Sequence, residues 1–174
     1  MTKIKTTLVV ATMAIAMAGC AKKRPEVLPP APVSQGTGVD PNAGATTNPD
    51  GAIVPGSDAD FKRSLTSNTI HFGLDQYDID PQSRAILDSQ AQWLARYPNV
   101  RITIEGHCDE RGTREYNLAL GDRRANAAKN YLAARGVSPE RMNVISYGKE
   151  RPIALGSDEA SYAENRRAVT VVLS

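Results

Sequence analysis

Val100-Arg101-Ile102-Thr103-Ile104-Glu105, then Gly106-His107-Cys108-Asp109-Glu110-Arg111-Gly112, then Thr113 through Arg135 to Gly136, is the stretch that decides the fold. The first six residues alternate apolar and polar, the period of a strand with one buried face. Gly106 and Gly112 permit tight backbone turns on the way out of that strand. From Thr113 the period lengthens to that of a helix, which runs to Arg135 and is closed by Gly136. Asp109 ends the strand, just before the helix. Strand, short loop and long helix in this order form the unit of an alternating fold.

The same alternation extends outward. Ser57-Asp58-Ala59-Asp60 reads as a cap and an acidic first helical turn. Asn68 to Phe72 is a short strand. Asp80-Pro81 opens a helix, with Asp80 as N-cap and Pro81 in the first helical position. Ile86, Leu87, Ala91, Trp93 and Leu94 form its apolar face, and Pro98 ends it. Beyond Gly136, Ser138-Pro139-Glu140 makes a helical turn and Asn143 to Tyr147 a strand. Ser157 or Asp158 starts a shorter helix to about Asn165, and Ala168 to Leu173 is a final strand. The expected fold is an α/β (α+β) sandwich, a small mixed four-stranded sheet with helices packed on one face.

The N-terminal third has a different character. Met1 to Lys5 is basic, and Leu8 to Gly19 is an uncharged apolar run of twelve residues. A spanning helix needs roughly 20 apolar residues, so this run fits a secretory signal segment instead. Met17-Ala18-Gly19-Cys20 resembles the bacterial lipobox, with Met in place of the usual Leu. That resemblance implies cleavage after residue 19 and lipidation of Cys20 with a diacylglyceryl group and a further acyl chain such as palmitate. One acyl chain holds a protein weakly, whereas two or more hold it stably. Ala21 after the cysteine, rather than Asp, points by the same resemblance to the outer membrane. Residues 21–57 contain seven prolines and five glycines and few large apolar groups. Such a stretch buries too little surface to offset its ordering entropy. As a flexible tether it spans roughly 35 Å r.m.s. and reaches ~120 Å when stretched. The expected organisation is a signal segment over 1–19, a lipidated linker over 20–57 and a folded domain over 58–174.

The chain's formal charge is +2, and Lys3 and Lys5 account for it. The remainder is neutral, which argues against nucleic acid as a partner, because phosphate binding needs a basic surplus. Aromatic residues make up only 5% of the chain, so Val, Ile, Leu and Ala must carry the core.

One residue breaks the helical pattern. At about 100° per residue, Asn117, Leu120, Gly121, Arg124, Ala128, Tyr131 and Leu132 fall on one stripe. Arginine is almost never fully buried without a partner. Arg124 therefore either snorkels to the helix edge, pairs with a structural acid, or stands at the mouth of a cleft to receive a ligand carboxylate. With Asp109 at the strand-to-helix junction, a common ligand position in α/β folds, an acid and a base could hold the ammonium and carboxylate of a zwitterionic amino-acid end.

Residues 106–117 followed by Leu120-Gly121-Asp122-Arg123-Arg124-Ala125 resemble the signature of OmpA-like peptidoglycan-binding domains, in the variant found in peptidoglycan-associated lipoproteins. Ile70 to Ile79 and Asn165-Arg166-Arg167-Ala168-Val169 extend the resemblance over roughly residues 65–174. It implies an OmpA-like βαβαβ-type domain that binds meso-diaminopimelate in the peptidoglycan stem peptide. Carried over by position, Asp109 accepts the side-chain ammonium and Arg124 clamps a carboxylate. Asp75 lies in the loop whose backbone N–H groups face that carboxylate, and Leu74, Arg111 and Leu120 line the cleft. Leu74 stands where the family more often has Phe, and Cys108 where it more often has Thr. Asn117 holds the loop through its backbone, and Arg166 and Arg167 are structural or solvated. The resemblance further implies the Tol–Pal system, with TolB and TolA as partners, and a part in outer-membrane constriction at division. A wall-anchoring lipoprotein outside that system is the alternative.

No cofactor or metal is expected: His71, His107 and Cys108 lack ligand spacing. A periplasmic thiol hydrolase built on His107, Cys108 and Asp109 is the remote alternative. Neighbouring side chains on a strand point to opposite faces, so His107 does not readily meet Cys108, and His71 could approach it only by strand pairing. Cys108 itself is expected to be a small buried hydrophobe, or else the site of a disulfide-linked dimer.

Overall fold

The computed structural model describes residues 51–173. The signal segment, Cys20 and most of the linker lie outside the described residues. Among the described residues, no helix is long and apolar enough to cross a membrane.

Each helix begins where a short polar side chain precedes a helix-forming run. Ser57 caps α1 (Asp58–Ser64), Asp80 caps α2 (Pro81–Arg96), Thr113 caps α3 (Arg114–Ala134) and Asp158 caps α4 (Glu159–Asn165). Each cap oxygen accepts a backbone N–H of the first turn, a contact that contributes about 1 kcal/mol. Helix α3 ends as Gly136 predicts. Gly136 has φ +93°, its N–H donates to the Ala133 carbonyl, and the Val137 N–H reaches back to Leu132. That double bond satisfies carbonyls a helix end otherwise leaves open, and Leu132 and Val137 are buried in the core beside it.

Strands β1 (Thr69–His71), β2 (Arg101–His107), β3 (Met142–Gly148) and β4 (Arg167–Leu173) form one sheet in the order β1-β4-β2-β3. The β2–β3 pair is parallel, while β4 runs antiparallel to both β1 and β2. Parallel neighbours need a crossover, and α3 supplies it. The sheet is mixed, as expected, and a short 3-10 turn (Pro139–Arg141) leads into β3. Strand β2 extends to His107, two residues beyond the alternating stretch, so Asp109 lies past the strand end rather than on it.

Ile70, Ile102, Ile104, Ala168 and Val172 face the helices and meet Leu87, Trp93, Leu94, Ala125, Ala128 and Leu132. Of the expected face of α2, Leu87, Ala91, Trp93 and Leu94 are buried and Ile86 is half-buried. Phe61 packs edge-on against Trp93 at 4.8 Å. Full burial of such side chains contributes about 1.5–3 kcal/mol each. Two polar groups in this core are paired: Trp93 Nε1–H donates to Asp60, and buried Gln90 accepts from Thr170 Oγ1–H at 2.8 Å.

Helix α3 comes closest to the sheet at glycine. A Cβ on Gly106 would overlap the Gly121 carbonyl, so these two residues set the approach of α3 to β2. Gly121 lies in the middle of a 21-residue helix, where glycine costs about 1 kcal/mol relative to alanine. The close contact is the physical reason for it.

Candidate functional site

A cleft of about 320 Å³ opens at the C-terminal end of β2. Three segments build it. The loop after β1 contributes Leu74 and Asp75, the β2–α3 connection contributes Cys108, Asp109, Arg111 and Gly112, and α3 contributes Tyr116, Asn117, Leu120 and Arg124. Arg166, between α4 and β4, completes the wall. All six expected ligand residues — Leu74, Asp75, Asp109, Arg111, Leu120 and Arg124 — are therefore brought together.

Arg124 is fully buried. It neither snorkels nor meets a carboxylate among the described residues. Instead Nε–H donates to the Gln76 carbonyl at 2.8 Å, Nη1–H to His107 at 2.9 Å and Nη2–H to Gly73 at 3.0 Å. Backbone carbonyls, present in every residue, stand where a structural acid was one of the alternatives. They satisfy direction but not charge. Burial pushes the guanidinium below its ordinary value, yet arginine stays protonated. A guanidinium has five N–H donors, so these three carbonyls do not exhaust it, and the Cys108 sulfur lies within reach of the same group.

Asp109 is the buried anion of the site, only 5% exposed. Its Oδ1 accepts the backbone N–H of Arg111 at 3.1 Å and Nε–H of Arg111 at 3.2 Å. Oδ2 accepts Nη2–H of Arg111 at 2.6 Å and Nη1–H of Arg166 at 3.4 Å. Burial alone raises the carboxyl's pKa; the bonds from Arg111, aided by Arg166, outweigh it and hold the group below 3.8.

Arg111 is not a solvated loop charge. Besides gripping Asp109, it lies 3.6 Å from Glu159 and stacks over the Tyr162 ring at 4.3 Å. Arg166, expected to be structural or solvated, is structural and stands in the cleft wall. It is buried and donates to the Phe72 carbonyl at 3.1 Å, to Asp109 and to Glu159 at 2.7 Å. Two adjacent arginines at the junction of α4 and β4 offered a signal, because neighbouring side chains in extended backbone take opposite faces and both here are buried. Arg167 takes the opposite face and bonds the Asn165 and Arg151 carbonyls.

The remaining residues shape the rim. Asp75 has φ +54°, a left-handed conformation uncommon outside glycine, and accepts the Tyr116 hydroxyl at 3.3 Å. Leu74 is about half exposed, and Leu120 is buried at the cleft but stands apart from the main core. Asn117 does hold the loop: its Nδ2 donates to the carbonyls of Arg111 at 2.7 Å and Thr113 at 3.0 Å. Cys108 is buried, its thiol donates to the Asn117 carbonyl at 3.3 Å, and burial pushes its pKa up. His107 turns the other way and stacks on Tyr147 at 5.5 Å. Strand β1 pairs with β4, not β2, so His71 is not brought beside Cys108 by pairing. Among the described residues, no cluster of His, Cys, Asp and Glu could hold a metal ion.

The OmpA family pattern matches residues 71–166, which contain every residue that lines the cleft. A peptidoglycan-associated lipoprotein of Rhizobium meliloti is 48% identical over 95% of this chain and 86% of its own. The chain belongs to the OmpA family, among the peptidoglycan-associated lipoproteins. A further member, from Pseudomonas aeruginosa, is 46% identical over 90% of this chain and 92% of its own. The crystal structure of the Burkholderia pseudomallei peptidoglycan-associated lipoprotein is 48% identical and covers 60% of this chain and 89% of its own, with a TM-score of 0.59. The C-terminal domain of Helicobacter pylori MotB shares the fold at a TM-score of 0.57 and 21% identity, covering 61% of this chain and 84% of its own.

Proposed function

We propose that the chain is an outer-membrane lipoprotein, acylated at Cys20, whose C-terminal domain holds peptidoglycan through meso-diaminopimelate of the stem peptide. The observation that carries this reading is a buried guanidinium without a carboxylate partner, Arg124, lining the same cleft as the buried carboxylate of Asp109. An unneutralised buried cation beside a cleft favours an anionic ligand group, and a charge-assisted bond supplies both affinity and direction. In this reading Arg124 uses its remaining N–H capacity on a ligand carboxylate, with the backbone of the Leu74–Asp75 loop. Asp109 takes the ligand ammonium, Leu74 and Leu120 lie against its methylenes, and Arg111 flanks it. The peptidoglycan-associated lipoprotein of Rhizobium meliloti, 48% identical to this chain, supports a wall ligand by its name.

No ligand bond is broken in this role, and the site is one for anchoring rather than catalysis. The thiol-hydrolase alternative lacks support in the geometry, since the Cys108 thiol is held protonated by burial and His107 faces away. Acylation at Cys20 would fix the domain to the outer membrane, and the Pro- and Gly-rich linker would let it reach the wall. Membership of the Tol–Pal system, with TolB and TolA as partners and a role in envelope integrity and division, follows from kinship with the peptidoglycan-associated lipoproteins.

The test is co-sedimentation of the full chain with sacculi containing diaminopimelate. Wild type should pellet, while Asp109→Ala and Arg124→Ala should stay in solution, with circular dichroism to establish that each is folded. Folded variants that both pellet like wild type would refute the site. Palmitate labelling that survives Cys20→Ala would refute the anchor.

A further inference from the structure

The ammonium seat on Asp109 is already taken. A carboxylate offers about four lone-pair positions, and in the free protein all are used: three by Arg111 and one by Arg166. The two arginines differ in freedom. The Arg166 side chain is 7% exposed and also tied to Phe72 and Glu159, whereas the Arg111 side chain is 38% exposed. In the conformation that grips Asp109, the Arg111 guanidinium already borders two groups that could receive it. Its Nη1 is 3.6 Å from Glu159 Oε2, and its guanidinium lies over the Tyr162 ring.

We propose that Arg111 is a specificity-determining residue that occupies the Asp109 side chain as an internal stand-in for the ligand amine. Binding is then an exchange of one cation for another. The incoming ammonium displaces the bidentate guanidinium, which moves onto Glu159 and Tyr162. The buried carboxylate is compensated throughout, so no bare charge is left in the cleft at any stage. A ligand without an amine at this position cannot complete the exchange, and Arg111 stays in its way. Selectivity arises from this competition as well as from direct contact. The inference rests on the proposed diaminopimelate reading, and its test separates the two.

The apparent affinity of a site that is open only part of the time is reduced by the open fraction. If Arg111 leaves Asp109 free about one tenth of the time, removing it strengthens amine binding about tenfold. The experiment titrates the full chain in detergent with the soluble stem tripeptide ending in meso-diaminopimelate, and with the same peptide acetylated on its side-chain amine. Arg111→Ala should bind the free-amine peptide at least about threefold more tightly than wild type, and the acetylated peptide should gain by a larger factor, so that the preference for the free amine narrows. Arg111→Lys, which places a weaker single contact on Asp109, should fall between. If Arg111→Ala binds the free-amine peptide more weakly while wild type still prefers it over the acetylated form, Arg111 is an ordinary ligand contact and the exchange is refuted, with the site intact. If wild type shows no preference for the free amine, both the exchange and the Asp109 reading fall.

Discussion

Arg124 Nη2–H donates to the Gly73 carbonyl at 3.0 Å, joining the middle of α3 to the loop that follows β1. With its bonds to Gln76 and His107, one side chain fixes two of the three cleft segments to the third. The residue proposed to receive the ligand is thus also the one that holds the cleft together.

Truncating it should show both effects. Arg124→Ala leaves three carbonyls without their donor, and the fold should lose on the order of 3 kcal/mol, read as a lower urea midpoint. Arg124→Lys keeps the charge but not the planar fork. It should lose less stability, about 1–2 kcal/mol, while still binding the wall poorly. A Lys variant that binds like wild type would show that charge alone suffices.

Glycine at the α3–β2 contact gives an ordered pair of outcomes. Gly106→Ala drives its new methyl into the Gly121 carbonyl, which is backbone and cannot rotate away. Gly121→Ala meets the Ser146 hydroxyl most closely, the end of a side chain that can turn, with the Gly106 carbonyl next. The first should destabilise by more than about 3 kcal/mol and the second by distinctly less, measured by thermal or urea unfolding. Equal losses would contradict this view of the contact.

His107 makes the domain acid-sensitive. It is buried, and neither ring nitrogen has a hydrogen-bond partner among the described residues. Glu105 lies 3.6 Å away but forms no bond with it. Burial first, then the Arg167 and Arg151 charges, lower its pKa from 6.5 to about 4. Because the folded value is the lower one, the stability is fully present above pH 6.5 and is lost as pH falls towards 4. The loss is on the order of 3 kcal/mol. Replacing His107 by Phe, which preserves the stack on Tyr147, should flatten the pH dependence of the urea midpoint in that window. An unchanged slope would place the titrating group elsewhere.

Asp109 sets a second pH window, for binding rather than for folding. Arg111 and Arg166 hold its carboxyl below the ordinary aspartate value, so it stays ionised to lower pH than a free aspartate. In the His107→Phe background, wall binding should therefore persist from neutral pH to about pH 5 and fail only as the pH drops through the lowered Asp109 value. Co-sedimentation at stepped pH measures this. A loss centred near pH 6 would implicate a different group.

Much of this was legible in the sequence because it is local. Ser57, Asp80, Thr113 and Asp158 cap helices through their own first turns, and Gly136 closes α3. The pairing of Asp109 and Arg124 in one cleft was legible because a single strand-loop-helix unit carries both. What sequence could not supply were contacts made across long separations with unmarked groups. The Gly73 and Gln76 carbonyls that receive Arg124 lie 51 and 48 residues away. Arg166 reaches Asp109 over 57 residues because β4 is an interior strand. The order of strands decides that, and no periodicity encodes it.

The most direct test of the cleft as a diaminopimelate site compares two stem tripeptides on the wild-type chain, one ending in meso-diaminopimelate and one in lysine. Both carry a side-chain amine for Asp109, but lysine lacks the second carboxylate proposed for Arg124. The expected result is binding at least about tenfold weaker for the lysine peptide, the size of one charge-assisted contact. Equal affinity for the two peptides would contradict the assignment of Arg124 to a ligand carboxylate.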